Sequence, residues 1–293
     1  MPIHGRMCYR LLKIEKNSMF KNVIKKYGRG YYRATFLFSR EIREATWAYY
    51  AFIRAADEIV DGEGVTNRAQ KLNEWKNEWI SVAQNNTVSQ NSSFNSYKQI
   101  MQDYGIPAEY TLSFLEAMER DLSVTRYATY SELEHYMYGT AVVVGYTMSY
   151  IIGFSDSALP HARALGEAFQ LTNFLRDIRE DYELRGRIYL PQEDMDRFGV
   201  TEQHISIHTV DENWQALMKF EIQRTRELYE KGVAGIHLLH PKGRRAVYAA
   251  ALVYKEILDE IEKNNYDIFS KRIVVSKFRK TMLLCKALWK RNL

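Results

Sequence analysis

Residues 166–191 read GEAFQLTNFLRDIREDYELRGRIYLP, and this stretch decides how the rest of the chain is read. Its apolar residues recur at helical spacing. Asp177 and Asp181 stand four residues apart, with Asn173 a further four upstream. Four helical residues turn a side chain by about 40°, so the two carboxylates leave one face with Cβ atoms about 5–6 Å apart. The apolar face of GEAFQLTNFLRDI runs straight into this polar cluster, which predicts a largely buried helix ending in acid.

A second stretch repeats the pattern. RAADEIVDGEG places Asp57 and Asp61 four residues apart at the end of AYYAFIRAADEIV, a segment rich in Ala, Ile, Phe and Tyr. The chain has twelve aspartates in 293 residues, so roughly fewer than one such pair is expected by chance. Two like charges at this spacing repel by about 0.2–0.5 kcal/mol when solvated, and by more when buried. Either pair alone reads equally as a solvated face, with Glu58 and Glu180 filling out the charge. Buried neighbours and nearby Arg54, Arg176, Arg179 and Arg187 point instead to a site that handles cations and anions together. Hard cations prefer such oxygens, and Mg²⁺ takes one or two carboxylates along with waters and substrate phosphates. Diphosphate held through Mg²⁺ fits, with arginines as fixed donors. An aromatic and aliphatic cavity would then shield the carbocation left behind.

Around these stretches the chain reads as all-α. It is 46% apolar and 26% charged, with 15 glycines and 5 prolines, which excludes disordered, collagen-like and coiled-coil classes. Helices are predicted near 8–26, 40–61, 67–83, 96–104, 107–121, 131–153, 158–185, 211–238, 242–264 and 276–291, with no strand hairpin and no internal repeat. The Asn, Ser and Gln cluster of Ala83–Gln99 reads as a surface loop. The acidic stretches flank it, so one domain over 1–293 is expected. Cys8 and Cys285 have neither disulfide-scaffold nor zinc spacing, and no signal peptide is seen, so a cytoplasmic location is expected. The apolar run Ala141–Ile152 is twelve residues, short of the roughly 20 a spanning helix needs. Net charge is +5, much of it in the terminal SKFRKTMLLCKALWKRNL. Such a basic amphipathic end suits a solvated face or peripheral contact with an anionic membrane. A nucleic-acid partner is not expected, because only this tail approaches a basic stripe with interleaved aromatics.

With these residues on the page, the chain resembles the squalene/phytoene synthase family over nearly its whole length. REATWAYYAFIRAADEIVD resembles the family's first aspartate-rich region and GEAFQLTNFLRDIREDYELRGRIYLP its second. MERDLSVTRYATYSELEHYMYGTAVVVG resembles the segment with paired tyrosines before a small-residue helix, and LVYKEILDEIEKNNYDIFSKR the C-terminal Tyr-and-Arg helix. The resemblance implies a single-domain all-α terpenoid-synthase bundle around a central cavity. It also implies several Mg²⁺ ions bridging aspartates and diphosphates, and head-to-head coupling through a cyclopropylcarbinyl diphosphate. By position it implies Asp57, Asp61, Asn173, Asp177 and Asp181 as metal ligands, and Arg54, Arg176, Arg187 and Arg272 as diphosphate contacts. Tyr136, Tyr189, Tyr254 and Gln170 match residues lining or polarising the cavity, with Tyr136 and Tyr254 placed among the catalytic set. Thr140 and Val144 match its wall, although the same residues would pack any bundle.

Two departures stand out. The family's Ser-x-Ser near the first helix is Gly28-Arg29-Gly30 here, so its hydroxyls are missing; glycine amides approaching phosphate would be the substitute. The family's Ala-Gly-x-Val-Gly is Ala141-Val142-Val143-Val144-Gly145, where Val142 would narrow the cavity or repack. The resemblance is strongest to bacterial enzymes making C30 carotenoid precursors. It therefore implies two farnesyl diphosphates condensed to dehydrosqualene, without NADPH. The alternatives are phytoene from two C20 substrates, squalene, hydrolysis of farnesyl diphosphate, and a non-catalytic relative.

Overall fold

The computed structural model describes residues 18–85 and 87–290. The helix expected over 8–26 is described as α1 over 18–27, its earlier part lying outside the described residues. A short α2 (Arg29–Tyr32) and a 3₁₀ turn (Ala34–Leu37) lead to α3 (Arg40–Asp61). Alanines at 45, 48, 51 and 56 on α3 are buried and let its neighbours approach closely. Gly62 stops α3, its N–H donating to the Glu58 carbonyl at 2.9 Å.

Helices α4 (Arg68–Asn85) and α5 (Ser92–Tyr104) reach further into the expected loop than composition suggested. The Asn91 side chain caps α5 by accepting from the Ser93 N–H, and Phe94 and Tyr97 are buried by packing on α3. Burial thus overrides the weak helix propensity of the Asn and Ser run. Phe52 sits at the centre of this half, its ring centroid 4.9, 4.7 and 4.2 Å from those of Trp75, Trp79 and Tyr97. Such aromatic pairs contribute about 0.5–1.5 kcal/mol each beyond area burial.

After α6 (Ala108–Arg120), the helix expected over 131–153 is α7 (Tyr130–Met137) and α8 (Val143–Ile152) with a π-turn, Tyr138–Val142, between them. There the Val143 N–H reaches back five residues to the Tyr138 carbonyl, a widened turn often found at functional sites. Gly139 permits it, since a Cβ there would lie 2.5 Å from the Ser113 carbonyl oxygen on α6.

Helix α9 (Leu159–Arg185) is the axis of the molecule, packed on α8, the π-turn, α12 (Glu212–Ala234) and α13 (Pro241–Lys263). The short α10 (Gln192–Arg197) and α11 (Glu202–Ser206), absent from the sequence reading, close its far side, and α14 (Lys277–Trp289) lies along α13. No strand occurs among the described residues. One core surrounds Phe52, a second surrounds Trp214 and Tyr229, and a cavity of about 310 Å³ separates them. The described residues form an all-α bundle around a central cavity.

Candidate active site

The last turn of α3 and the second half of α9 bring the two aspartate pairs together. Arg185 joins them: its Nη1 donates to Asp181 Oδ1 at 3.1 Å and its Nε is 3.3 Å from Asp61 Oδ2. Arg187, just past α9, places Nη1 2.9 Å from Asp61 Oδ1 and donates through Nη2 to the Asp121 carbonyl at 2.7 Å. Asp57 pairs with Arg54, which also donates to Glu58 Oε2 at 2.5 Å. Asp177 is held by Arg176, Nε to Oδ1 at 2.8 Å, and by Arg272, Nη2 to Oδ1 at 3.2 Å. Arg272 arrives from beyond α13 and also meets Glu180 at 3.0 Å. Asn173 occupies α9 one turn before Asp177.

Arg179 is not part of this cluster. It donates to Glu183 at 2.9 Å and to the Phe269 carbonyl at 2.6 Å, tying α9 to the segment after α13. A 100° step per residue turns position 179 away from 177 and 181. Arg185, not singled out in the sequence, is four residues past Asp181, a spacing that puts it on the same helix face and was the available signal for it.

Burial first, and neighbouring carboxylates second, push Asp57, Asp121 and Asp181 above the ordinary carboxyl range. Burial pushes Asp57 up to about 6, with Arg54 opposing and Asp61 adding to the rise. Asp181 is pushed up to about 7 by burial and then by Asp177, against Arg185. Asp121, at the end of α6, reaches about 7 through burial despite the Tyr136 hydroxyl and Arg187. Asp61 Oδ1, Asp121 Oδ1, Arg54 Nε and Arg185 Nε are all buried without an aligned hydrogen-bond partner, which natural cores avoid unless a site uses them. Among the described residues no three His, Cys, Asp or Glu side chains form a ready metal cage. Asp57, Asp61, Asp177 and Asp181 are each paired with at least one arginine, and hard carboxylate oxygens on two facing helices suit Mg²⁺, which completes its shell with water and phosphate. The donor set fits the ion.

The cavity lies between α3, α8, α9 and α13; none of the four aspartates lines it, and Ile53 on α3 and Gln170 on α9 are its lining residues closest to them along those helices. Thr140, Val144 and Gln170 line it, together with Tyr31, Tyr49, Tyr50, Ile53 and Phe169. Tyr136, Tyr189 and Tyr254, expected to line or polarise the cavity, are not among its lining residues. Tyr254 lies behind Tyr31, rings stacked at 4.6 Å, with Phe169 5.0 Å from Tyr254. Tyr136 and Tyr189 join Phe174 in a stack beside Arg187, with Phe174 and Tyr189 centroids 4.0 Å apart. Burial raises the hydroxyl pKa of Tyr136 and of Tyr254. Val142 is fully buried off the cavity, so its bulk repacks the core and leaves the cavity width alone.

The glycine substitution near α1 also differs from expectation. The Gly28 N–H donates to the Ile24 carbonyl at 2.8 Å, so that amide is already used, and a Cβ at 28 would lie 2.8 Å from Ile24 Cγ1. Gly30 falls within α2. Lys280 of α14 is half-buried, and burial, with the charges of Arg33 and Arg176, lowers its pKa. Sequence reading placed it on a tail, because nothing in its spacing says α14 folds back over α13.

Comparison with known proteins agrees with this architecture. The squalene/phytoene synthase profile matches residues 24–279. A 15-cis-phytoene synthase of Synechocystis sp. is 35% identical over 286 residues, covering 92% of this chain and 83% of that protein. A chloroplastic phytoene synthase of Daucus carota is 35% identical over 274 residues, covering 89% and 67%. A solved dehydrosqualene synthase with a bound ligand superposes at TM-score 0.87, with 26% identity and coverage of 95% of this chain and 97% of that one. The chain belongs to the squalene/phytoene synthase family.

Proposed function

We propose that this prenyltransferase joins two geranylgeranyl diphosphates head to head to give phytoene without NADPH. The carrying observation is the shape of the cavity. Along α9 its wall runs from Gln170, two turns before Asp177, to Ala158 at the helix's N-cap, twelve residues or about 18 Å at 1.5 Å each. Ala158, Gly232, Gly235 and Ala246 line its far part, and small residues there leave room for a long tail. The phytoene synthases of Synechocystis sp. and Daucus carota support the same substrate. Two farnesyl diphosphates giving dehydrosqualene is the second reading, supported by the solved dehydrosqualene synthase.

Asp57, Asp61, Asn173, Asp177 and Asp181 would hold Mg²⁺, which when bound neutralises diphosphate and acts as a Lewis acid. Arg54, Arg176, Arg187 and Arg272 bind and orient diphosphate oxygens, each already fixed by an aspartate or a backbone carbonyl. Tyr31, Tyr49, Tyr50 and Phe169 exclude water and offer ring faces to the allylic cation. With both tails in one cavity, the cation meets the C2=C3 bond of the second substrate at high effective concentration. The first substrate's diphosphate leaves on ionisation, and loss of a proton after C1 bonds to C2=C3 closes the cyclopropylcarbinyl diphosphate; release of the second diphosphate, rearrangement and loss of a second proton then give phytoene.

Purified protein is incubated with Mg²⁺ and each prenyl diphosphate, with and without NADPH, and the hexane extract is identified by mass spectrometry. Phytoene from geranylgeranyl diphosphate without NADPH is expected. Dehydrosqualene alone moves the assignment to the C30 reaction, squalene formed only with NADPH moves it to reductive coupling, and farnesol alone removes the coupling step.

A further inference from the structure

Helix α14 carries two apolar faces, and the protein covers one. Leu283 and Ala287 are buried, with Leu284 packed beside Ala287 in the cluster that contains Ala34 and Tyr248. On the opposite side, Phe278, Met282 and Trp289 recur at spacings of four and seven, one face of a helix. They are 75, 47 and 84% exposed. Single exposed hydrophobes are ordinary, whereas a continuous stripe marks contact with something apolar.

Charge selects the partner. From Ser276 to the end of the chain there are six basic residues, Lys277, Arg279, Lys280, Lys286, Lys290 and Arg291, and no acidic one. Lys277 and Lys286 are exposed along the two edges of the stripe. A second copy laid on this face would set like charges against each other, which disfavours self-association. An anionic bilayer satisfies both features: the stripe enters the headgroup–acyl boundary while the lysines stay among the headgroups. A terminal tryptophan suits that interface. No helix among the described residues is long and apolar enough to cross a membrane, so such contact is made at the surface.

Lys280, on the covered side of α14, feels the charges of Arg33 and Arg176, and α14 lies along α13. We infer that α14 docks the protein on an anionic lipid surface through Phe278, Met282 and Trp289, setting the site at headgroup level. Amphiphilic prenyl diphosphates partition there. The benefit to substrate entry rests on the proposed function; the docking itself does not.

Tryptophan emission tests it cleanly, because Trp47, Trp75, Trp79 and Trp214 are 6, 8, 2 and 0% exposed and Trp289 is the outlier. The full chain is mixed with vesicles of equal phosphatidylcholine and phosphatidylglycerol at low salt. Co-flotation and a blue shift are expected, both falling as salt shortens the Debye length. Binding to phosphatidylcholine alone should be at least about tenfold weaker. The Phe278→Ser/Trp289→Ser variant should lose flotation by at least about tenfold, with melting temperature and turnover in detergent unchanged. Lys277→Glu/Lys286→Glu should lose the preference for anionic lipid. Wild-type protein that stays with the unbound fraction, or a serine variant that floats like wild type, overturns the inference. So does a lipid-free dimer that the serine variant dissociates. None of these readouts needs turnover, so their failure leaves the condensation reading standing.

Discussion

Asp57 and Asp181 carry the most informative charges, because their surroundings disfavour ionisation that a cation would restore. A carboxyl whose pKa rises on folding from its ordinary value near 4 to about 6 or 7 stabilises the fold fully below the unfolded value. That contribution is lost as pH rises through 6–7. Metal-free protein is therefore expected to melt at lower temperature at pH 8 than at pH 5, with Mg²⁺ and pyrophosphate restoring more at pH 8. Differential scanning fluorimetry at both pH values checks this, and a metal-free melting temperature that rises with pH would refute it. Asp57→Asn or Asp177→Asn should cost about 10²–10³-fold in turnover, the scale of losing one preorganised electrostatic group, with the fold intact by circular dichroism. Gly28→Ser restores the family residue but meets Ile24 Cγ1 at 2.8 Å. It should lower stability without raising activity, as measured by thermal melts beside steady-state rates.

At the scale of elements, the π-turn between α7 and α8 shapes the cavity wall. Thr140 and Ala141 line the cavity from this turn, and the turn can sit against α6 only because Gly139 lacks a side chain. Gly139→Ala adds a Cβ 2.5 Å from the Ser113 carbonyl oxygen and 2.6 Å from Ala117 Cβ. Overpacking of this kind costs about 1–3 kcal/mol, read as a drop of several degrees in melting temperature. Catalytic rate should fall further than stability alone explains, since the wall shifts with the turn. A variant with unchanged melting temperature would mean that the α6 contact yields.

Over the whole molecule, the length of the cavity decides which tail fits. Ala158 and Ala246 lie at the end away from the acids, so Ala158→Phe or Ala246→Phe should fill the floor without touching a carboxylate. Turnover of geranylgeranyl diphosphate is expected to fall at least tenfold relative to farnesyl diphosphate, about 1.4 kcal/mol of discrimination, measured by competition between the two substrates. Equal losses on both would place the tail elsewhere.

Helix periodicity and the two aspartate pairs were legible in the sequence because they are local: spacing along one helix fixes which side chains share a face. The long helices α3, α9, α12 and α13 follow from that pattern, and so does the pairing of Asp57 with Asp61 and of Asp177 with Asp181. Contacts between helices are not local. That Arg185 bridges Asp61 and Asp181 and that Arg272 crosses ninety-five residues to Asp177 depend on how α3, α9 and the segment after α13 pack. The π-turn, the retreat of Tyr136, Tyr189 and Tyr254 from the cavity, and the engaged Gly28 amide are likewise set by close packing. Side-chain volume and approach distance govern them, and sequence spacing carries neither.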